Sequence, residues 1–367
     1  PALNNTCELQ SIKTSMSPLD RHSLRLAFTM ALSLVLSYGL SCPLPYLTPI
    51  FVVFLAANPE PPMKPRALFL LLLVVTVSLA LGVLMVPLLQ HYNLTGVLIV
   101  GLGLFLSMFL TIVRGKRVLG MFLIIGLTLV SAAGYQSYAL ATVVISSLVL
   151  SIATAVATQW LVFLFLPGLP TAPDATPRGS EDAELETAVS DTGDVATSWA
   201  ALRAALIVMP AYLLALSNPS QYLMTIMKSV SLSQQSSAVD LRTAGRELIG
   251  STFAGGVMAV LFWKLLQLAP TLWMFFLWML AFSLYASAKL FGQLQTRFAP
   301  SFWINSVVTM LILIGPAVQD SSNGNDAWSA FLVRFGVFLG VTIYAWVAVH
   351  ALEALKARYT RPTRSFG

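Results

Sequence analysis

The sequence predicts an all-α integral membrane protein of about 12 transmembrane helices, built as two parallel six-helix repeats joined by an acidic disordered linker. Three observations carry this. Of 367 residues, 57% are hydrophobic and only 10% charged, and the mean hydropathy is +0.80, far from the composition of a soluble domain. A bilayer core about 30 Å thick takes roughly 20 apolar residues per span, so the chain has length for around a dozen spans and none for a large soluble catalytic domain. The basic residues also recur: Arg25, Arg66 and Arg117 each open an apolar run, and offsets of 178, 180 and 180 lead to Arg203, Arg246 and Arg297, which open three more.

Apolar runs bounded by Pro, Gly or charge place the first repeat within 23–166, with spans near 23–40, 43–57, 67–89, 94–113, 118–133 and 140–166. The second repeat, 199–355, has spans near 199–216, 220–235, 247–268, 270–290, 300–316 and 328–352. Residues 1–22 and 356–367 read as a cytoplasmic N-terminal segment and a basic tail. The first apolar run follows Arg21 and Arg25 without a small-residue cleavage site, the pattern of a signal anchor. With the N-terminus inside, 18 of the 21 basic residues fall at or beyond cytoplasmic helix ends, and the six external connections contain no Lys or Arg. The positive-inside rule therefore predicts a multi-pass inner-membrane protein with both termini in the cytoplasm. An even number of spans per repeat gives both repeats the same orientation.

The linker 167–198 holds seven of the 15 acids and only Arg178 among bases. Without it the membrane body carries 20 basic and eight acidic residues, a bias toward anions. Cys7 and Cys42 fall on opposite sides of the membrane and read as two free thiols.

The second span of each repeat is the weakest. Pro43, Pro45 and Pro49 interrupt the first, which Asn58-Pro59-Glu60-Pro61-Pro62 ends; Asn218-Pro219 precedes the second, which soon turns to Ser229, Ser231, Ser233, Gln234 and Gln235. Tyr46 and Tyr222 mark the two segments at an offset of 176. Short or broken spans at matching places in two repeats point to a transport path, because unwound backbone in a membrane is tolerated only against protein or water. Packing of short interfacial helices is the other reading.

Three bases fall within predicted spans: Lys228, Lys264 and Arg334. A buried charge is expensive unless it faces a cavity or an anion, which makes Lys228 and Arg334 candidate substrate-binding residues. Lys264 lies one turn from an outer helix end, where its side chain can snorkel, and Arg334 has Asp320 and Asp326 as alternative partners. Tyr46, Tyr222, Trp303, Asn305 and Gln159 are candidates for the wall of a pocket for a planar organic anion, although belt anchoring and helix packing use the same residue types. No carboxylate is predicted deep in the bilayer. His350 and Glu353, three apart on one face of the last span, and Glu247 at a cytoplasmic margin are the candidate proton-coupling groups.

Nothing in the motifs predicts an enzyme, a cofactor, a metal site or a nucleic-acid partner. Gly101-Leu102-Gly103 lies inside an apolar run, and no P-loop, HExxH or CxxC cluster is present in the sequence.

The basic helix start Arg21-His22-Ser23-Leu24-Arg25-Leu26-Ala27, the proline-rich second span, and Arg246-Glu247-Leu248-Ile249-Gly250-Ser251-Thr252-Phe253-Ala254-Gly255-Gly256 together resemble the fusaric acid resistance (FUSC) family. This family of bacterial inner-membrane proteins includes the p-hydroxybenzoic acid efflux subunit and is distantly similar to plant aluminium-activated malate channels. The resemblance covers about 21–166 and 199–355, and it implies export of aromatic or other organic carboxylates, commonly with a HlyD-type periplasmic membrane fusion protein. Arg66 and Arg246 match the family's helix-opening arginine, which implies a structural role or a place at the cytoplasmic mouth. Longer members carry a cytoplasmic domain where this chain has only its linker. The expectation is thus an aromatic acid exporter embedded in the lipid bilayer, proton-driven or not, which also forms homo-oligomers in one reading. The alternatives are a passive organic-anion channel and a membrane anchor or assembly subunit for a periplasmic adaptor.

Overall fold

The computed structural model describes residues 18–56, 63–115, 117–166, 194–236, 241–322, 324 and 326–359. The expected linker 167–198 is described only from 194 and the expected tail 356–367 only to 359, and both described pieces are helical, which corrects those bounds; the rest of each, Cys7 and the Asn58–Pro62 run lie outside the described residues.

Twelve helices follow in order: α1 Pro18–Gly39, α2 Leu47–Ala56, α3 Pro65–His91, α4 Asn93–Val113, α5 over 117–136, α6 Tyr138–Phe165, α7 Asp194–Ser217, α8 Pro219–Ser236, α9 Leu241–Leu268, α10 Leu272–Leu290, α11 Pro300–Ser322 and α12 Ala327–Tyr359. The described residues contain no strand. Among the described residues, nine helices, all except α1, α2 and α8, are long and apolar enough to cross a membrane. The protein is an all-α, multi-pass membrane protein.

Helix starts follow local chemistry. Pro65 opens α3, where its missing N–H costs nothing. Ser137 and Thr271 cap α6 and α10, their hydroxyls accepting from Leu140 N at 3.1 Å and Met274 N at 3.2 Å. Asp326 caps α12 by accepting from Trp328 N at 3.2 Å and Ser329 N at 3.4 Å. Hydrogen bonds from Ser329 hold the Asp326 carboxyl below the ordinary carboxylate range.

Both second spans are the weak ones, as expected, for different reasons. Pro43 and Pro45 keep the chain in turns until Leu47, so α2 begins four residues later than the sequence suggested and has only 10 residues. At 1.5 Å per residue it reaches about 15 Å, half the hydrocarbon thickness. α8 has 18 residues and is continuous, which corrects the expected break over 218–235. Its polarity, not its backbone, sets it apart.

The same packing plan occurs twice. In each half the first helix packs on the second and sixth, the third on the fifth and sixth, and the fourth on the fifth. The halves interlock reciprocally as well: α1 lies along α10 as α7 lies along α4, and α2 meets α11 as α8 meets α5. The spacing of arginines thus corresponds to a repeated three-dimensional arrangement. α5 departs from its counterpart by a buried π-helical segment, Gly126–Val130. There Gly82 of α3 and Gly126 approach so closely that a Cβ on either would overlap the other helix's backbone.

Candidate functional site

The site grows from two stripes of small and polar residues at four-residue spacing. On α9 these are Glu247, Ser251 and Gly255; on α11 they are Ser301, Asn305 and Thr309. Residues four apart share a helix face, so each stripe points one way. The helices run parallel and in register. Ser301 Oγ donates to Glu247 Oε2 at 3.4 Å, and Asn305 Nδ2 donates to Ser251 Oγ one turn further on. At the next turn Gly255 faces Thr309, where an added Cβ would meet the Thr309 Cβ at 2.6 Å and the Ser306 carbonyl oxygen at 2.5 Å. Only a residue without a side chain lets α9 and α11 close to this distance.

Lys228 of α8 enters this seam between Asn305 and Thr309. It is fully buried, with Nζ donating to Asn305 Oδ1 at 3.0 Å and to Thr309 Oγ1 at 2.6 Å. The polar groups around it are committed. Thr309 Oγ donates to the Asn305 carbonyl at 2.6 Å, so its lone pairs face the lysine. Asn305 spends its amide N–H on Ser251, whose hydroxyl donates onward to Leu248 O at 3.1 Å. Every hydrogen bond therefore runs away from Nζ, an arrangement that presents negative dipole ends to an ammonium. An ammonium has three N–H donors, and the described partners take two.

No carboxylate among the described residues reaches Nζ. Glu247 lies one stripe level from Asn305 and two from Thr309, about 6 and 12 Å along the helix, and its carboxylate faces Ser301. Among the described residues, neutral dipoles alone hold the charge. Removing an ammonium from water costs several kcal/mol even after relaxation, and two hydrogen bonds offset only part of that. An anion at the open donor would supply the rest.

The other predicted residues occupy different places. Arg334 pairs with Asp320 at 2.5 Å, both about one-fifth exposed, so of its two alternatives it takes Asp320 and is not a free anion site. Asp326 caps its helix instead. Lys264 is exposed and lies over the Trp328 ring at 5.2 Å from the centroid, the snorkelled arrangement. Tyr46 is buried with its ring packed against Gly315 of α11, and its hydroxyl donates to Met224 Sδ at 3.5 Å. Nearby, Gln319 Nε2 donates to the Pro43 carbonyl at 2.8 Å, so the turn before α2 is fastened onto the far end of α11.

Trp303 turns away from Lys228. Its Nε1 donates to Thr296 at 3.2 Å, Tyr285 stands edge-on to it, and Lys289 lies 6.0 Å from its ring. Gln159 and Tyr222 are half-buried and make no hydrogen bond to the described members of the Lys228 cluster. Arg66 is exposed at the start of α3. His350 Nδ1 bonds to the Trp346 carbonyl at 3.0 Å, with its ring beside that indole. The side chains of Arg246 and Glu353 lie outside the described residues.

Of the predicted set, then, the structure brings Lys228, Asn305 and, at the margin of the seam, Glu247 together. Ser251, Ser301 and Thr309 complete the site and escaped the sequence reading. The signal was present as the matched four-residue stripes, which only the facing of α9 and α11 makes meaningful.

A family described as Protein of unknown function (DUF2955), which lies in the FUSC-like superfamily, matches residues 22–162, the first half of the membrane body. No curated protein matches the chain.

Proposed function

We propose that the protein moves organic anions, aromatic carboxylates in particular, across a bacterial inner membrane by way of Lys228. The observation that supports this reading is a fully buried lysine held only by neutral oxygens, in a helix too polar to serve as an ordinary span. The carboxylate takes the third donor position of Nζ. In the described conformation the cluster is sealed, so loading requires α9 and α11 to part along their seam. The small and hydroxyl-bearing stripes suit such movement, since few large side chains interlock there.

Export of a monoanion needs no proton-coupling group. An interior-negative potential supplies about 2.3 kcal/mol per charge per 100 mV, enough for roughly a fifty-fold outward gradient. This favours a potential-driven carrier or channel over proton exchange, and a HlyD-type adaptor on the outer side and cytoplasmic termini fit the same direction of flow.

The experiment is efflux of labelled p-hydroxybenzoate and fusaric acid from liposomes containing the purified protein, under an imposed potential and with or without a protonophore. Flux that follows potential and persists with the protonophore is expected. Flux that collapses with the proton gradient would return His350, Glu353 and Glu247 to the mechanism; no flux of either acid at any potential would overturn the proposal.

A further inference from the structure

Resting on that reading, we infer that the site accepts one singly charged anion per chain and rejects dianions. The inference comes from a count of charges at depth and from the difference between the halves. Two bases of the described residues are buried, Lys228 and Arg203. Arg203, the one basic residue of α7, lies in its first half and has interactions of its own. Arg334 is matched by Asp320, and Lys264 is exposed. One positive charge is therefore available in the Lys228 seam, with one open donor.

The first half provides no second site. The segment of α2 matching Lys228 is Val52–Ala56, without a polar side chain, and Phe51 there packs against Phe122 of α5 with centroids 5.9 Å apart. The turns of α3 and α5 that match Ser251, Asn305 and Thr309, near 71–78 and 125–131, carry no amide or charge, and their buried hydroxyls, Ser78, Thr128 and Ser131, bond to their own helices or to Tyr212. A duplicated fold thus carries a single charged site.

A monocarboxylate neutralises the buried ammonium. A dicarboxylate leaves its second charge in a region of low dielectric, where the hydroxyls of Thr309 and Ser251 offer dipoles but no cation. An uncharged amide gives up the attraction altogether. The site should therefore rank ligands by charge at fixed shape.

Benzoate, phthalate and benzamide share a ring and differ in charge, and calorimetric titration of the detergent-solubilised protein at pH 6.5 distinguishes them. Benzoate is expected to bind at one per chain, with phthalate and benzamide at least tenfold weaker, and Lys228→Met is expected to abolish the preference. Phthalate binding as tightly as benzoate in a Lys228-dependent way, or two benzoates per chain, would overturn the inference and leave the anion-transport reading standing. Benzoate binding that is unchanged in Lys228→Met would overturn both. The ligand ranking of the wild-type protein tests the selectivity even where the variant fails to fold.

Discussion

The two halves of this protein share a packing plan and differ in what they place at its centre. In the first half the contact of the second helix with the fifth is filled by Phe51 and Phe122, beside Val52 and apolar neighbours, all buried. In the second half the same meeting point holds Lys228, Ser251, Asn305 and Thr309, equally buried. Water is excluded from both. An apolar cluster gains stability from that exclusion, whereas a charged one loses it unless something compensates. The comparison teaches that burial measures packing and not purpose: identical exposure means a core in one half and a site in the other.

Exchanging the chemistry of the two centres breaks the comparison most severely. Val52→Lys places an ammonium among apolar side chains with no prepared acceptor, at a cost of several kcal/mol; loss of folded protein in size-exclusion chromatography is the expected outcome. Lys228→Met removes the uncompensated charge, so its Tm should stay level or rise while anion flux falls at least tenfold. A steep fall in Tm would mean that the lysine is a structural pillar.

Next in size is the helix seam. Gly255→Ala forces a Cβ against the Ser306 carbonyl and Thr309, an overpacking cost of about 1–3 kcal/mol readable as a fall in Tm. Asn305→Asp sharpens the comparison differently, because it gives Lys228 a counter-charge in place of an amide of the same shape. Stability should be retained and monoanion flux lost, as measured by the liposome assay. Arg334→Gln should cost about 1 kcal/mol or less, since its pair with Asp320 is partly solvated, and should leave flux within twofold of wild type. The smallest effect concerns Asp326, whose carboxyl is held below its ordinary 3.8 by Ser329. A depressed value means that the cap stabilises α12 above about pH 4 and loses that contribution as the pH falls through its folded-state value. Asp326→Ala should lower Tm slightly at neutral pH and not at pH 2.

Much of the fold was legible in the sequence because membrane spans are long, apolar and punctuated by charge. The run opened by Arg66 and closed at His91 became α3 almost unchanged. What escaped was local. The turn at Pro43 to Tyr46 shortened α2, since two prolines delay the first helical hydrogen bonds, and Pro219 opened a continuous helix where a break was expected. The site was half legible. Lys228 stands out because charge at depth is rare, and Asn305 because amides in spans are few. Ser251 and Thr309 look like any of the hydroxyls that bond back to their own helix, as Ser107 does to Gly103 at 2.7 Å. Trp303 misled for a related reason: an indole near the start of a span fits a pocket wall or a belt, and its direction depends on Thr296 and Tyr285.

The central claim, that one buried lysine in the second half makes the anion path, is tested most directly by p-hydroxybenzoate efflux from liposomes holding equal amounts of wild-type and Lys228→Met protein under one imposed potential. At least a tenfold loss of flux is expected in a variant that is as thermally stable as the wild type. Equal flux through both proteins would contradict it.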